Sequence, residues 1–204
     1  MTSAHIAPDR DLGVFINCPF DDDYRPALDA IVFTCVRAGF FPWLAGSTGS
    51  TSNARVDRIL EAVEGCRYSI HDLTRYRGEG TENLSRFNMP LELGMSMAAR
   101  GRRPADSAHD WLVLVPEGHI YQRYVSDLAG FDPEPHDGSP ARVAVAVLSW
   151  LMTRPTAAAS VEPDDVVPRL DEFSARRGEL DASWHGASPP WGNVVKLALE
   201  VARR

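Results

Sequence analysis

Short apolar runs of strand length alternate with amphipathic stretches of helix length through the first three quarters of the chain, and few folds satisfy that pattern. The clearest run is Trp111-Leu112-Val113-Leu114-Val115. It is apolar at every position, as a strand buried on both faces must be. Gly13-Val14-Phe15-Ile16-Asn17-Cys18 reads the same way, and Phe40 to Ala45 and Cys66 to Leu73 are two further strand candidates. Between them, Leu28, Ile31, Val32, Cys35 and Val36 have helical spacing within a segment from about Tyr24 to Arg37. Gly39 is placed to stop that helix. Val56, Ile59, Leu60 and Val63 mark a second helix closing near Gly65, and a third is expected from about Met89 to Ala99. Such alternation predicts a mostly parallel sheet covered by helices on both faces.

The remainder is less regular. Residues 117–140 are rich in Gly, Pro, Asp and His and are expected to be largely irregular. Val143 to Met152 predicts a helix, residues 154–164 a linker, and about 165–177 and 190–203 two more helices. Trp184 to Trp191 forms an aromatic, Gly/Pro-rich turn between them. The expected organisation is an α/β domain over 1–153 and a C-terminal helical extension over 154–204 packed on it. A chain of 204 residues is long enough for one such core.

The formal charge of −7 argues against a nucleic-acid binder that works by neutralising phosphates, although Arg100, Arg102 and Arg103 cluster. The three cysteines, Cys18, Cys35 and Cys66, lack disulfide or zinc spacing, which suits reduced thiols in the cytoplasm. The first residues carry no apolar signal core, and no apolar run approaches the ~20 residues that span a bilayer. The expectation is a cytoplasmic protein without a membrane partner.

In an open parallel sheet, ligands bind beyond the carboxyl ends of the strands. The first strand delivers Asn17, Cys18, Pro19, Phe20 and the acids Asp21 to Asp23 there. The second opens onto the Gly46–Asn53 loop, the third gives His71, Asp72, Thr74 and Arg75, and the fourth gives Glu117, Gly118 and His119. Asn88 suits a helix N-cap, and Pro90 is tolerated in a first turn. Glu92 then sits about one turn into the helix, where the dipole favours a carboxylate. Gly94 leaves room for close approach of a neighbour. A helix-start acid chosen for the dipole alone explains Glu92 equally simply, and a turn acid explains Asp72. His71 reads as an alternating strand residue; Cys18 could be a nucleophile, but with no clear His partner it reads better as a buried thiol; His119 and His136 could contact a ligand from their loops, with solvated surface as the default. The Gly46–Ser52 stretch lacks the lysine of a phosphate-binding P-loop.

The stretch Cys66-Arg67-Tyr68-Ser69-Ile70-His71-Asp72-Leu73-Thr74-Arg75, followed by Phe87-Asn88-Met89-Pro90-Leu91-Glu92-Leu93-Gly94, resembles the signature of bacterial TIR-like nucleotide-binding proteins. These stand with the nucleoside 2-deoxyribosyltransferases in a wider flavodoxin-like superfamily. Val14-Phe15-Ile16-Asn17-Cys18-Pro19-Phe20 resembles the first strand of the same group. The likeness covers about residues 13–117, and Phe87-Asn88-Met89-Pro90 stands where the family has Asn-Pro-Asn.

The resemblance implies a three-layer flavodoxin-like sheet of about four to five parallel strands, plus C-terminal helices. It implies N-glycosidic chemistry at the C1′ of a ribose, with Glu92 at the catalytic position and no cofactor or metal. Asp72 matches the strand-end acid that binds ribose hydroxyls or assists proton transfer. Phe15, Asn17, Pro19 and Phe20 would line the base side, and Asn88 would orient substrate or cap the helix. Three activities fit: hydrolysis of NAD or a related nucleotide, as in bacterial antiviral defence; nucleoside 2-deoxyribosyl transfer; and non-catalytic nucleotide binding. The small-molecule partner is a nucleotide or nucleoside, and homo-oligomerisation is left open.

Overall fold

The computed structural model describes residues 9–44, 54–75, 88–118, 120–123, 125–157 and 160–204. The Gly46–Asn53 loop, His119 and most of the loop over 74–86 lie outside them. Five strands, β1 (Gly13–Asn17), β2 (Phe41–Trp43), β3 (Tyr68–Asp72), β4 (Asp110–Pro116) and β5 (Glu134–His136), form one parallel sheet in the order β2-β1-β3-β4-β5. The helices are α1 (Arg25–Arg37), α2 (Arg55–Gly65), α3 (Asn88–Arg100), α4 (Pro140–Met152), α5 (Pro163–Val166), α6 (Leu170–Ser183) and α7 (Trp191–Ala202). The expected flavodoxin-like three-layer α/β fold is present, with additional helices beyond it.

Side-chain alternation along the strands sorts the core into layers. Val14, Ile16, Tyr68, Ile70, Leu112 and Leu114 point to the side covered by α1 and α4. Phe15, Val113 and Val115 point to the other side, where Ile59 and Val63 of α2 and Met89 and Leu93 of α3 cover them. Helix α1 is ordinary in its apolar spacing but not in its surroundings. All ten residues from Ala27 to Val36 are buried, because α4 flanks it while α6 and α7 pack over it. A helix enclosed this way is apolar nearly all round.

The two polar exceptions on α1 are Asp29 and Thr34. Burial pushes the Asp29 carboxyl up to about 6, against the opposing pull of Arg177 and Arg25. The Arg177 guanidinium of α6 stands 3.6 Å from Asp29 and bonds Asp181 one turn on, while Arg25 also pairs with Asp181. Removing either partner of such a buried pair costs far more than the pair contributes. The stack of Phe33 on Phe173 adds apolar contact between α1 and α6. Trp191 packs against this core, and its indole N–H donates to the Pro42 carbonyl of edge strand β2 at 2.8 Å. Trp184 is partly exposed.

Four segments differ from expectation. Strand β5 lies inside 117–140, which read as irregular; it has Pro135 at its centre, which an edge strand tolerates. The helix expected over 165–177 begins instead at Leu170, because Pro168 confines Val167–Arg169 to a 3-10 turn. Within the expected linker over 154–164, Val161 joins the core. Gly94 is exposed, and a Cβ there would meet nothing within 4 Å, so no neighbour approaches it. Gly94→Ala should therefore stabilise the protein by ~0.5–1 kcal/mol through helix propensity. An unchanged or lower urea midpoint would contradict this.

Candidate functional site

In this strand order the chain turns one way from β1 to β2 and then crosses back over β1 to β3. Helices α1 and α2 consequently lie on opposite faces, and the topological switch point, where open α/β sheets bind ligands, falls at the carboxyl ends of β1 and β3. That switch point collects the candidate residues. Asn17 pairs in register with His71, and Asp72 follows on β3. The Cys18 thiol is raised by burial and further by the charges of Asp72, Glu92 and Asp21. One buried sulfur thus lies within electrostatic reach of all three carboxylates.

Glu92 is only 5% exposed, one turn into α3. Burial raises its pKa, opposed by the Arg55 charge at the start of α2 and by a hydrogen bond with the Asn88 side chain. Burial is the largest contribution and the net direction is upward. Asn88 is the first helical residue, and its side chain reaches the Glu92 carboxylate. Pro19 is buried, whereas Phe20 is 53% exposed at the end of β1 and Leu91 is 59% exposed in the first turn of α3. These two apolar side chains stand at the carboxyl edge of the sheet.

Asp72 is fully buried on the α1 side of the sheet. One carboxylate oxygen accepts the Thr74 backbone N–H at 2.7 Å and the Thr74 hydroxyl. The other accepts the Tyr24 hydroxyl and, at 2.9 Å, His136 Nε2. The Gly138 N–H donates to His136 Nδ1, so the ring hydrogen is on Nε2 and points at Asp72. A carboxylate offers about four acceptor positions, and protein donors fill them here. The turn-acid role is therefore present in the Asp72–Thr74 bond, and contact with a ribose hydroxyl requires one donor to give way. Tyr24 is raised well above an ordinary phenol, first by burial and then by the Asp72 charge.

Asn17 is buried, and Phe15 is fully buried against Ile59, Ala62, Val63 and Cys66, with its ring edge-on to His71. Phe15 therefore supports the site from one layer beneath. Asp21 caps the 3-10 turn Asp22–Tyr24 and pairs with Arg75 at 2.8 Å. At the opposite edge of the sheet, Arg100 pairs with Asp110 and Arg102 with Glu64.

The sequence does not single out Tyr24 or Arg55, and it marks His136 only as a loop residue. Asp72-Leu73-Thr74 did carry a signal for the local turn. Nothing local marks Tyr24 or His136, which reach Asp72 from 48 and 64 residues away in the chain. His136 read as a solvated loop residue; it is 2% exposed, because β5 carries it into the sheet. Among the described residues no group of three His, Cys, Asp or Glu side chains could hold a metal ion, and no helix is long and apolar enough to cross a membrane. No protein-family model matches the chain, and no curated protein matches it significantly.

Proposed function

We propose that this chain cleaves the N-glycosidic bond of NAD or a related nucleotide. The observation that carries the reading is Glu92: a nearly buried carboxylate at a topological switch point, held by Asn88 and facing the Arg55 charge. The resemblance of the flanking sequence to ribosyl-processing enzymes supplies the chemical class. In the proposed reaction the C1′–N bond breaks and its electron pair leaves with the base. With NAD the leaving nicotinamide is neutral, so no proton need be supplied. The Glu92 carboxylate stabilises the oxocarbenium-like centre at C1′. Water then adds to C1′ and releases a proton. Phe20 and Leu91 offer apolar surface for the base, with Pro19 buried beside Phe20 in the chain, and Asp72 holds the strand end rigid.

One observation favours non-catalytic nucleotide binding instead. The acceptor positions of Asp72 are taken by the protein itself, so this acid does not stand ready to move protons. The experiment that separates the readings incubates the pure protein with NAD and, separately, with pairs of deoxynucleosides and free bases. Free nicotinamide supports hydrolysis. Exchanged bases would make the chain a deoxyribosyltransferase with Glu92 as nucleophile. A rise in melting temperature with nucleotide, without turnover, would make it a binding module. A cytoplasmic setting is part of the proposal and is supported by three cysteines that are all free and buried. A role in antiviral defence rests on the resemblance alone.

A further inference from the structure

The face of β3 turned towards α3 breaks the pattern of its neighbours. In that layer β4 presents Val113 and Val115 and β1 presents Phe15 before the buried Asn17, whereas β3 presents only Ser69 and His71, both wholly buried. His109, 1% exposed, stands just before β4. A local departure from an otherwise apolar layer marks a functional constraint more often than a defect.

These polar groups form one continuous chain. The Asn17 amide nitrogen bonds the Met89 carbonyl at 2.9 Å and His71 Nδ1 at 2.9 Å. His71 Nε2 bonds Ser69 Oγ at 2.8 Å, Ser69 Oγ bonds His109 Nε2 at 2.8 Å, and His109 Nδ1 bonds the Cys66 carbonyl at 3.0 Å. The two ends fix the direction of every bond. An amide NH2 only donates, and a carbonyl only accepts. Asn17 therefore donates to His71 Nδ1, His71 Nε2–H to Ser69, the Ser69 hydroxyl to His109 Nε2, and His109 Nδ1–H to Cys66. Both rings are neutral, in keeping with burial driving His71 down to about 3 and His109 to about 4. A chain with one polarity is satisfied throughout or broken, and a break strands buried groups on both sides.

We propose that His71, Ser69 and His109 are positioning residues that act through Asn17 to tether the first turn of α3, and with it Glu92, to the sheet. The terminal bond makes the connection. Asn17 spends one N–H on the Met89 carbonyl, three residues before Glu92, and the chain behind it holds the amide in the only orientation that can do so. Neither imidazole exchanges protons in this arrangement. The consequence for turnover rests on the glycosidic reading of Glu92; the tether itself does not.

The first test uses the wild-type protein. Nitrogen NMR of the histidine rings should show the Nε2–H tautomer at His71 and the Nδ1–H tautomer at His109 at pH 7. The opposite tautomer at either ring overturns the proposal. The second uses Ser69→Ala and amide hydrogen exchange. Exchange at Glu92 to Gly94 should quicken by about tenfold or more relative to α1 and α4. Equal acceleration in all three helices, or none in α3, would reduce the chain to a purely structural element. If wild type releases nicotinamide from NAD, the variant should lower kcat with KM little changed. If wild type does not, the glycosidic reading fails while the tautomers and the exchange pattern still decide the tether.

Discussion

Glu92→Gln is expected to lower NAD cleavage by roughly 10²–10⁴-fold without unfolding the protein. The substitution keeps shape and removes charge. The cationic character that develops at C1′ then loses the carboxylate facing it. Stability moves the other way, because burial penalises the ionised Glu92 in the folded state and a neutral amide escapes that penalty. The variant should melt at or slightly above the wild-type temperature. Nicotinamide release at the wild-type rate would remove Glu92 from the mechanism. The same upward shift sets the acid limb of the wild-type profile: activity should fall on acidification at a pH above that of an ordinary glutamate, as the carboxylate takes up a proton.

Acid should destabilise the fold well before most carboxylates are protonated. His71 and His109 titrate near 6.5 when unfolded but only near 3 and 4 when folded. Below about 6.5 the unfolded chain therefore binds more protons, and stability falls with pH until the folded values are passed. Asp29 acts oppositely: its folded value of about 6 means that stability is gained as pH falls from 6 towards 3.8. Glu92 has the same sign as Asp29. At about 1.4 kcal/mol per unit and per group, two histidines outweigh Asp29 by about 3 kcal/mol between pH 6.5 and 4.5, and Glu92 offsets part of that loss. Urea midpoints across this window should fall steadily on acidification. A flat or rising series would mean that the rings are not held neutral.

How much of this was legible in the sequence depended on whether the cause was local. Strands β1, β3 and β4 declare themselves as apolar runs because both faces of the sheet are covered. Helix α1 declares itself through periodic apolar residues and a stop at Gly39, which has a φ of 85°. Strand β5 does not: Glu134-Pro135-His136 pairs on one edge only and needs no apolar run. Glu92 was visible as an acid one turn into a helix, and the structure adds that it is buried. The surroundings of Asp72 were not visible, since Tyr24 and His136 arrive through tertiary packing. The polar chain from Asn17 to Cys66 was equally hidden, because its direction follows from geometry at both ends.

The enclosure of α1 bears on how the protein is made. Its outer face is covered by α6 and α7, which follow it in the chain only after the whole sheet. At a synthesis rate of about 5–20 residues per second, Leu28, Ile31 and Phe33 emerge roughly 10–30 s before the helices that shield them. Through that interval the nascent chain carries an apolar helix with one side uncovered, and Arg25 lacks its Asp181 partner. Chaperone demand during translation should therefore be set by the arrival of α6 and α7 rather than by the sheet that α1 rests on.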